Sequence, residues 1–474
     1  YMAANSYNRY LTFIIANEVS DETVAAILEN SDGLVGVTVE EQYIRRYVDS
    51  VYCSQILGYT GTVSNSELEE LGDGYESNDV VGKSGIEKSM ENELSGVKGE
   101  KSVYVDTVGR VTEVLDQEDP QAGHDVYLTI DINLQKSIYN AIEDEITDIF
   151  MKYFTPGSNK ITYNGSGDVD TIYITAQEVY FALIDNNLVS LKEIEEQNTP
   201  NEAEIYSQFE TKKSQTLSWL DSELKSGNTA YGKLSEEQQL YIWYIYDLLR
   251  SENIFSLANV DTSDSVYYDW VYGDSTSLSQ LLTYGISKNW IDMSSLTSEK
   301  YTSLQESYDA LVDYIISALD SDTAFFKKMY KYMINAGSIS GRQVCMLLYE
   351  QGVLDMNADD SRYQSLSSGS MGAYEFMSYV ISNKIITVGQ LALKPGSAVV
   401  TNPNNGDILA LVSYPSYDNN KLSGTVDAKY YSSLVTDNAS PLLNRATQSF
   451  IAPGSTYKPC TIIAGMDTGI ISSS

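Results

Sequence analysis

Residues 396–418, GSAVVTNPNNGDILALVSYPSYD, read as two β-strands joined by a tight turn. Apolar and β-branched residues flank Asn404, Asn405 and Gly406, the residue types that tolerate the backbone of a hairpin turn. This stretch decides the fold, because everything before it from about residue 150 to 390 carries helical periodicity instead. Strands that return after so long a helical region imply an α+β chain with helices set between two β-containing parts.

Working upstream, KLSEEQQLYIWYIYDLLR (233–250) places Ser235 and Gln238 as a capping box, with Leu234 as a hydrophobic staple. SISGRQVCMLLYEQGVL (338–354) repeats the device with Ser340 and Gln343, and Gly352 suits the residue just past the helix. The Tyr and Trp residues of this region fall at helical spacing, which predicts a packed helical core before an aromatic ligand box. No repeat of fixed period is found. DINLQKSIYNAIEDEITDIF (131–150) reads as an amphipathic helix with Leu134, Ile138, Ile142 and Ile146 along one face. Before it, GVTVEEQYIRRYV (36–48), KSVYVDTVGRVTEVL (101–115) and HDVYLTID (124–131) read as short strands. SDETVAAILEN, capped by Ser20, and SNSELEEL (64–71) interrupt them as helices.

Composition narrows the function. The 474 residues hold 42% hydrophobic residues, enough for two or three domains. Against 66 Asp and Glu stand 30 Lys and Arg, a net charge of -36. A phosphate backbone or an anionic lipid surface is repelled by such a field, so no nucleic acid partner is expected. Three scattered cysteines (Cys53, Cys345, Cys460) make neither a disulfide framework nor a metal spacing, and no metal or organic cofactor is expected. The one histidine, His124, sits in a turn entering a strand and reads as an ordinary loop residue, so a serine nucleophile here needs another base. SNDVVGKSG (77–85) ends like a phosphate loop but has Ser77 where the pattern needs glycine, and Lys83–Ser84–Gly85 reads as a turn between two strands. No apolar run is long enough to cross a membrane. The chain opens on YMAANS and closes on ISSS at Ser474, and it is expected to be a piece of a longer protein.

Downstream of the hairpin, APGSTYKPC (452–460) places a serine and a lysine three positions apart where a helix begins. Residues i and i+3 of a helix share a face, so the Lys458 ammonium can reach the Ser455 hydroxyl. Free N–H groups of a first turn favour negative charge developing beside the serine. Pro453 and Gly454 lead sharply into the turn, and Pro459 is tolerated within it. A desolvated lysine can then act as base. Ser95–Lys98 and Ser222–Lys225 share the spacing but lie in a turn and on a surface helix. From Ser455 the segment is read as a helix with Ile462 and Met466 facing in, Cys460 as a packing residue, and Gly469 as terminator.

APGSTYKP, preceded by NRATQSF (444–450) and VVTNPNNGDILALVSYPSYDNN (399–420), resembles the nucleophile region of the penicillin-binding transpeptidases. RRYVDSVYCSQILGYTG (45–61), DVVGKSGIEKSMENELSGVKG (79–99) and VYVDTVGRV (103–111) resemble the N-terminal pedestal of the class B members. DVYLTIDINLQKSI (125–138) is similar to their junction into the catalytic domain. The resemblance implies a β-rich pedestal over 1–125, a partial transpeptidase domain of antiparallel sheet and helices over 126–150 and 390–474, and a mainly helical insertion over 151–389.

It also implies a reaction. Ser455 attacks the carbonyl between the last two D-alanines of a peptidoglycan stem peptide and Lys458 is the base. The Ser455 N–H forms half an oxyanion hole, an amine resolves the acyl-enzyme, and β-lactams acylate the same serine. The family's Ser-x-Asn and Lys-Thr/Ser-Gly motifs do not occur between Lys458 and Ser474. Those substrate-binding motifs are therefore expected beyond Ser474, and the chain by itself is expected to be inactive. The implied partners are a membrane glycosyltransferase and divisome or elongation proteins, at the outer face of a membrane reached through an N-terminal anchor. The alternatives are a β-lactam sensor, which the pedestal motifs disfavour, and a non-catalytic scaffold.

Overall fold

The computed structural model describes the chain except residues 1–14, 17–18, 31–32, 35, 38, 40–44, 73, 78, 106–110, 158–172, 295, 297–302, 359, 393–394, 425 and 472–474. The fold is α+β: helices predominate, and the strands pair only two by two. The chain forms two compact units, one made of residues up to Ile146 with those from Ala392 onward, the other of Thr147–Leu391.

In the first unit, Thr60–Thr62 pairs antiparallel with Val80–Gly82. Gly58 (φ 77°) and Gly85 (φ 58°) let the flanking turns press together, since a Cβ on Gly58 would lie 1.9 Å from the Ser84 carbonyl oxygen. Lys83–Ser84–Gly85 therefore turns from a strand into the Gly85–Ser89 helix, not between two strands as expected. Arg45 grips Glu87 of that helix through two parallel bonds, Nε–Oε1 2.8 Å and Nη2–Oε2 3.1 Å. Glu100–Val105 and Val111–Glu118 form a second antiparallel pair.

Two of the expected strands are corrected. Of 36–48, residues 38 and 40–44 lie outside the described part and Arg45–Tyr47 are not in a strand. The 124–131 run has no ladder either. It docks beside the later hairpin through Thr129 Oγ1 to the Ile408 carbonyl (2.7 Å) and Asp131 N–H to the Leu409 carbonyl (2.9 Å). Two such anchors fix its path without the run of paired N–H groups that defines a strand.

Asp131 then caps the Ile132–Tyr153 helix, its carboxylate accepting from the N–H groups of Asn133 and Leu134. Leu134, Ile138, Ile142 and Ile146 are only half-buried. The buried stripe instead runs through Gln135, Tyr139, Thr147 and Phe150, because a polar Gln135 is satisfied inside and so can lie there.

Among its described residues the second unit is helical, with one two-residue parallel pair, Phe154–Thr155 with Ile174–Thr175. The Ser235–Gln238 and Ser340–Gln343 capping boxes both form, and Gly352 (φ 69°) ends the second helix. The staple does not: the position facing Leu234 is Gln239, whose amide donates to the Tyr231 and Leu234 carbonyls. The aromatic residues are core. Phe209 stacks on Tyr330 at 4.5 Å, Trp243 lies parallel to Trp270 at 5.8 Å, and the buried Tyr308 hydroxyl donates to the Leu224 carbonyl at 2.7 Å.

Candidate active site

Gly396–Thr401 and Ile408–Tyr414 form an antiparallel hairpin whose register pairs Gly396 with Tyr414 and Val400 with Ala410. The turn spans Asn402–Asp407 and is longer than a two-residue Asn-Gly turn: Gly406 takes φ 81°, its N–H bonds the Asn402 carbonyl at 2.8 Å, and the Asn402 N–H bonds the Asp407 carbonyl at 2.8 Å. Ala410, Val412 and Tyr414 are buried on one face of the second strand. Gln135 locks the Ile132–Tyr153 helix against that strand, accepting from the Leu411 N–H (2.8 Å) and donating to the carbonyls of Leu411 (2.9 Å) and Tyr52 (2.8 Å). Tyr139 meets the edges of Tyr414 at 5.3 Å and Tyr52 at 5.2 Å.

Past the strand, residues 415–423 are tied to the 47–58 segment by polar side chains. Asn420 makes a two-way bridge to the Tyr47 backbone (2.8 and 3.0 Å), Ser50 donates to Asp418 (2.7 Å), and buried Asn419 donates to the Gly58 carbonyl (2.7 Å). Burial opposes ionisation of Asp418, but the bonds from Ser50 and Asn420 win and hold its carboxyl below the usual range. In sequence this stretch reads as irregular, and the adjacent Asx residues of DNN are its only signal.

Ser413 anchors the next bend. Its hydroxyl donates to the Leu443 carbonyl (3.2 Å) and accepts from the Arg445 N–H (2.8 Å). Arg445 closes the bend, its guanidinium donating to the carbonyls of Ser440 (3.0 Å) and Ala439. Nothing in the local sequence marks this clasp, although a buried serine on a strand is the kind of group that must find partners.

Beyond Gln448 the chain runs exposed through Phe450 and Ile451. Gly454 (φ 56°) turns it into a short 3₁₀ segment, Gly454–Tyr457, which leads into the Lys458–Asp467 helix with Pro459 in its first turn. Thr456 bonds the Pro453 carbonyl through its hydroxyl. Gly469 (φ 72°) ends the helix, with the N–H groups of Ile470 (2.9 Å) and Ile471 (3.1 Å) returned to the Gly465 carbonyl.

Ser455 thus sits in the 3₁₀ turn and Lys458 at the first helical position, three residues apart where i and i+3 eclipse. Both are exposed, and neither side chain makes a hydrogen bond or ion pair among the described residues. The other two matches to the spacing differ: Lys98 pairs with Asp79, and Lys225 pairs with Asp221 (2.8 Å) and Asp313 (3.0 Å). Three expectations are corrected here. Ile462 and Met466 are 53% and 44% exposed, not inward-facing, and Cys460 is exposed, not a packing residue. A helix buries its apolar stripe only where another face meets it, and no residue of this helix is buried.

The substrate-binding motifs expected beyond Ser474 have no counterpart among the site residues, and Ser474 itself lies outside the described residues. His124 is an exposed loop residue, its N–H on the Glu93 carbonyl at 2.6 Å. Among the described residues no cluster of three or more His, Cys, Asp or Glu could hold a metal ion, and no helix is long and apolar enough to cross a membrane.

Comparison with known proteins covers both ends of the chain. Residues 1–128 match the penicillin-binding protein dimerisation domain and residues 396–474 the penicillin-binding protein transpeptidase domain. The peptidoglycan D,D-transpeptidase MrdA of Salmonella typhimurium (strain SL1344) is 31% identical over 141 residues, 29% of this chain and 23% of that protein. Penicillin-binding protein 2A of Bacillus subtilis (strain 168) is 35% identical over 139 residues, 28% of this chain and 19% of that protein. Among solved structures, penicillin-binding protein 2B of Streptococcus pneumoniae (strain 5204) matches 29% of this chain and 23% of its own at 27% identity, with a TM-score of 0.25. The match therefore spans under a quarter of the length of these relatives. With a dimerisation domain at one end, a transpeptidase domain at the other and such relatives, the chain belongs to the class B penicillin-binding proteins.

Proposed function

We propose that the protein is a serine peptidoglycan D,D-transpeptidase in which Ser455 is the nucleophile and Lys458 the base. One observation carries this: a serine and a lysine three residues apart at the start of a helix, inside the segment that matches the transpeptidase domain. Ser455 Oγ adds to the carbonyl between the two terminal D-alanines of a stem peptide while Lys458 takes its proton. The Ser455 N–H supports the oxyanion, and the terminal D-alanine leaves as its nitrogen receives that proton. An amine of a neighbouring strand then displaces the enzyme and forms the cross-link. β-Lactams acylate the same oxygen. Residues 1–474 by themselves are expected to acylate poorly, because a lysine becomes a base when enclosed and no described side chain covers Lys458.

The class also suggests a setting: the outer face of a membrane, an N-terminal anchor, a glycan-polymerising membrane enzyme as partner, and divisome or elongation proteins around it. The test is fluorescent penicillin applied to cells producing the protein. A labelled band is expected, and Ser455→Ala and Lys458→Ala should each reduce its labelling by about 1,000-fold or more. Undiminished labelling of the Ser455→Ala protein, or none of the native one, defeats the reading.

A further inference from the structure

Residues 147–391 contain a regularity that no fixed period exposes. Four of their helices are ten residues long: Ala176–Asp185, Leu278–Ser287, Gly341–Glu350 and Ala373–Ser382. The residues before them, Thr175, Ser277, Ser340 and Gly372, are N-caps, and Glu178, Gln280, Gln343 or Glu375 follows three positions later. The first three pairs close complete capping boxes; Gly372 has no side chain to do so. At the far end, Asn187, Asn289, Gly352 and Lys384 all take the left-handed conformation, with φ of 57°, 59°, 69° and 54°. An N–H just beyond each returns to the carbonyl four residues before it: Val189 to Leu183, Trp290 to Gly285, Leu354 to Leu348 and Ile386 to Val380.

That ending alone proves nothing, since the Lys458–Asp467 helix of the other unit closes the same way at Gly469. The longer Thr323–Asn335 helix of the same unit also ends this way at Gly337, with Met329, Tyr330 and Ile339 buried and the Ser340 cap after it; what sets the four apart is that the same burial and both caps recur over one fixed length. Val179–Tyr180, Leu281–Leu282, Val344–Cys345 and Phe376–Met377 fill equivalent inward positions, and all eight are buried. Two residues past the left-handed one, Val189, Ile291, Leu354 and Ile386 are buried as well. The next residue is Ser190, Asp292, Asp355 or Thr387, and each side chain accepts from a backbone N–H two or three residues on. Three of these elements also touch. Gly341 lies so close to Tyr180 that a Cβ would sit 2.6 Å from its ring, Gln351 brackets the Ser190 N–H and carbonyl (2.8 and 3.1 Å), and Tyr349 meets Phe376 at 5.7 Å. The position two after each cap is Gln177, Ser279, Arg342 or Tyr374, four unlike residues, so the repetition lies in the inward positions and the caps.

We infer that residues 147–391 are a module built by repeating one helix–turn–cap element, at 175–190, 277–292, 340–355 and 372–387, and that the rest of the chain folds without it. Within the first unit the chain departs and rejoins at one place: a Cβ on Gly396 would lie 3.1 Å from Ile142 Cγ2 and 4.0 Å from Ile146 Cδ1. Unequal intervals between the elements hide them from any fixed period.

The test is scanning calorimetry of the full chain and its variants. Two transitions are expected, and one of them disappears when residues 147–391 are replaced by a short Gly/Ser linker. Asn289→Gly and Lys384→Gly should each raise the module's transition by about 1–3 °C, whereas Gly352→Val lowers it. Val189→Ala, Ile291→Ala, Leu354→Ala and Ile386→Ala should each lower it by several degrees. Opposite signs at equivalent positions, or an anchor whose removal changes nothing, overturns the repeat. A single transition in the full chain, or a linker variant that does not fold, overturns the independence of the module.

Discussion

Two ten-residue helices, both ended by a left-handed glycine, make opposite use of their apolar residues. Gly341–Glu350 buries Val344, Cys345, Leu347, Leu348 and Tyr349; Lys458–Asp467 buries nothing. Their ends are alike because ends are local: Gly352 and Gly469 take φ of 69° and 72° for the same steric reason. Their interiors differ because burial needs a second surface. Neighbouring helices supply one to the first, while Ile462, Ile463 and Met466 of the other remain exposed. A Ser-x-x-Lys spacing can therefore be complete in sequence while its lysine stands in solvent.

Mutations can break this contrast. Leu348→Ala should destabilise the helical unit by about 2–5 kcal/mol, read by denaturant unfolding, since it empties a fully buried position. Glu87→Ala leaves Arg45 without its partner and should cost the first unit about 1–3 kcal/mol, less than a fully buried pair because Arg45 is partly exposed. Ser340→Ala removes one half of a capping box and should cost about 1 kcal/mol. Ile462→Ser should change stability by no more than about 0.5 kcal/mol, because the side chain is already in water; a loss as large as that of Leu348→Ala would show that a covering surface forms in solution.

Acid sharpens the comparison from another side. The Lys83 ammonium, with the Ser64 groups, lowers the Glu67 carboxyl to about 2, below its ordinary value. A carboxyl whose folded value is depressed binds its proton more readily when unfolded. Its contribution is thus fully present above about pH 4.5 and lost as the pH falls toward 2. Lys83→Met should flatten that part of a stability–pH profile; an unchanged profile would assign the acid sensitivity elsewhere.

Capping boxes at Ser235 and Ser340, the hairpin around Gly406 and the stop at Gly469 were legible in the sequence, because each depends on residues within one turn of another. The Ser455–Lys458 spacing was legible for the same reason. Gln135 as a buried polar lock, the Asp418–Asn420 bridge to Tyr47 and Ser50, and the Arg445–Ser413 clasp were not, since their partners lie far away in sequence. The inward face of the Ile132–Tyr153 helix shifted by one residue for the same cause: a glutamine reads as polar until a distant strand offers it bonds.

By itself, then, the sequence determined where helices start and stop, where the hairpin turns and which serine and lysine lie three residues apart, since backbone sterics and capping act over a few residues. Only the tertiary structure decided which apolar faces are covered, that four similar helices share one core pattern, and that Ser455 and Lys458 stand exposed. Burial is a property of two surfaces, and a local stretch of sequence specifies only one of them.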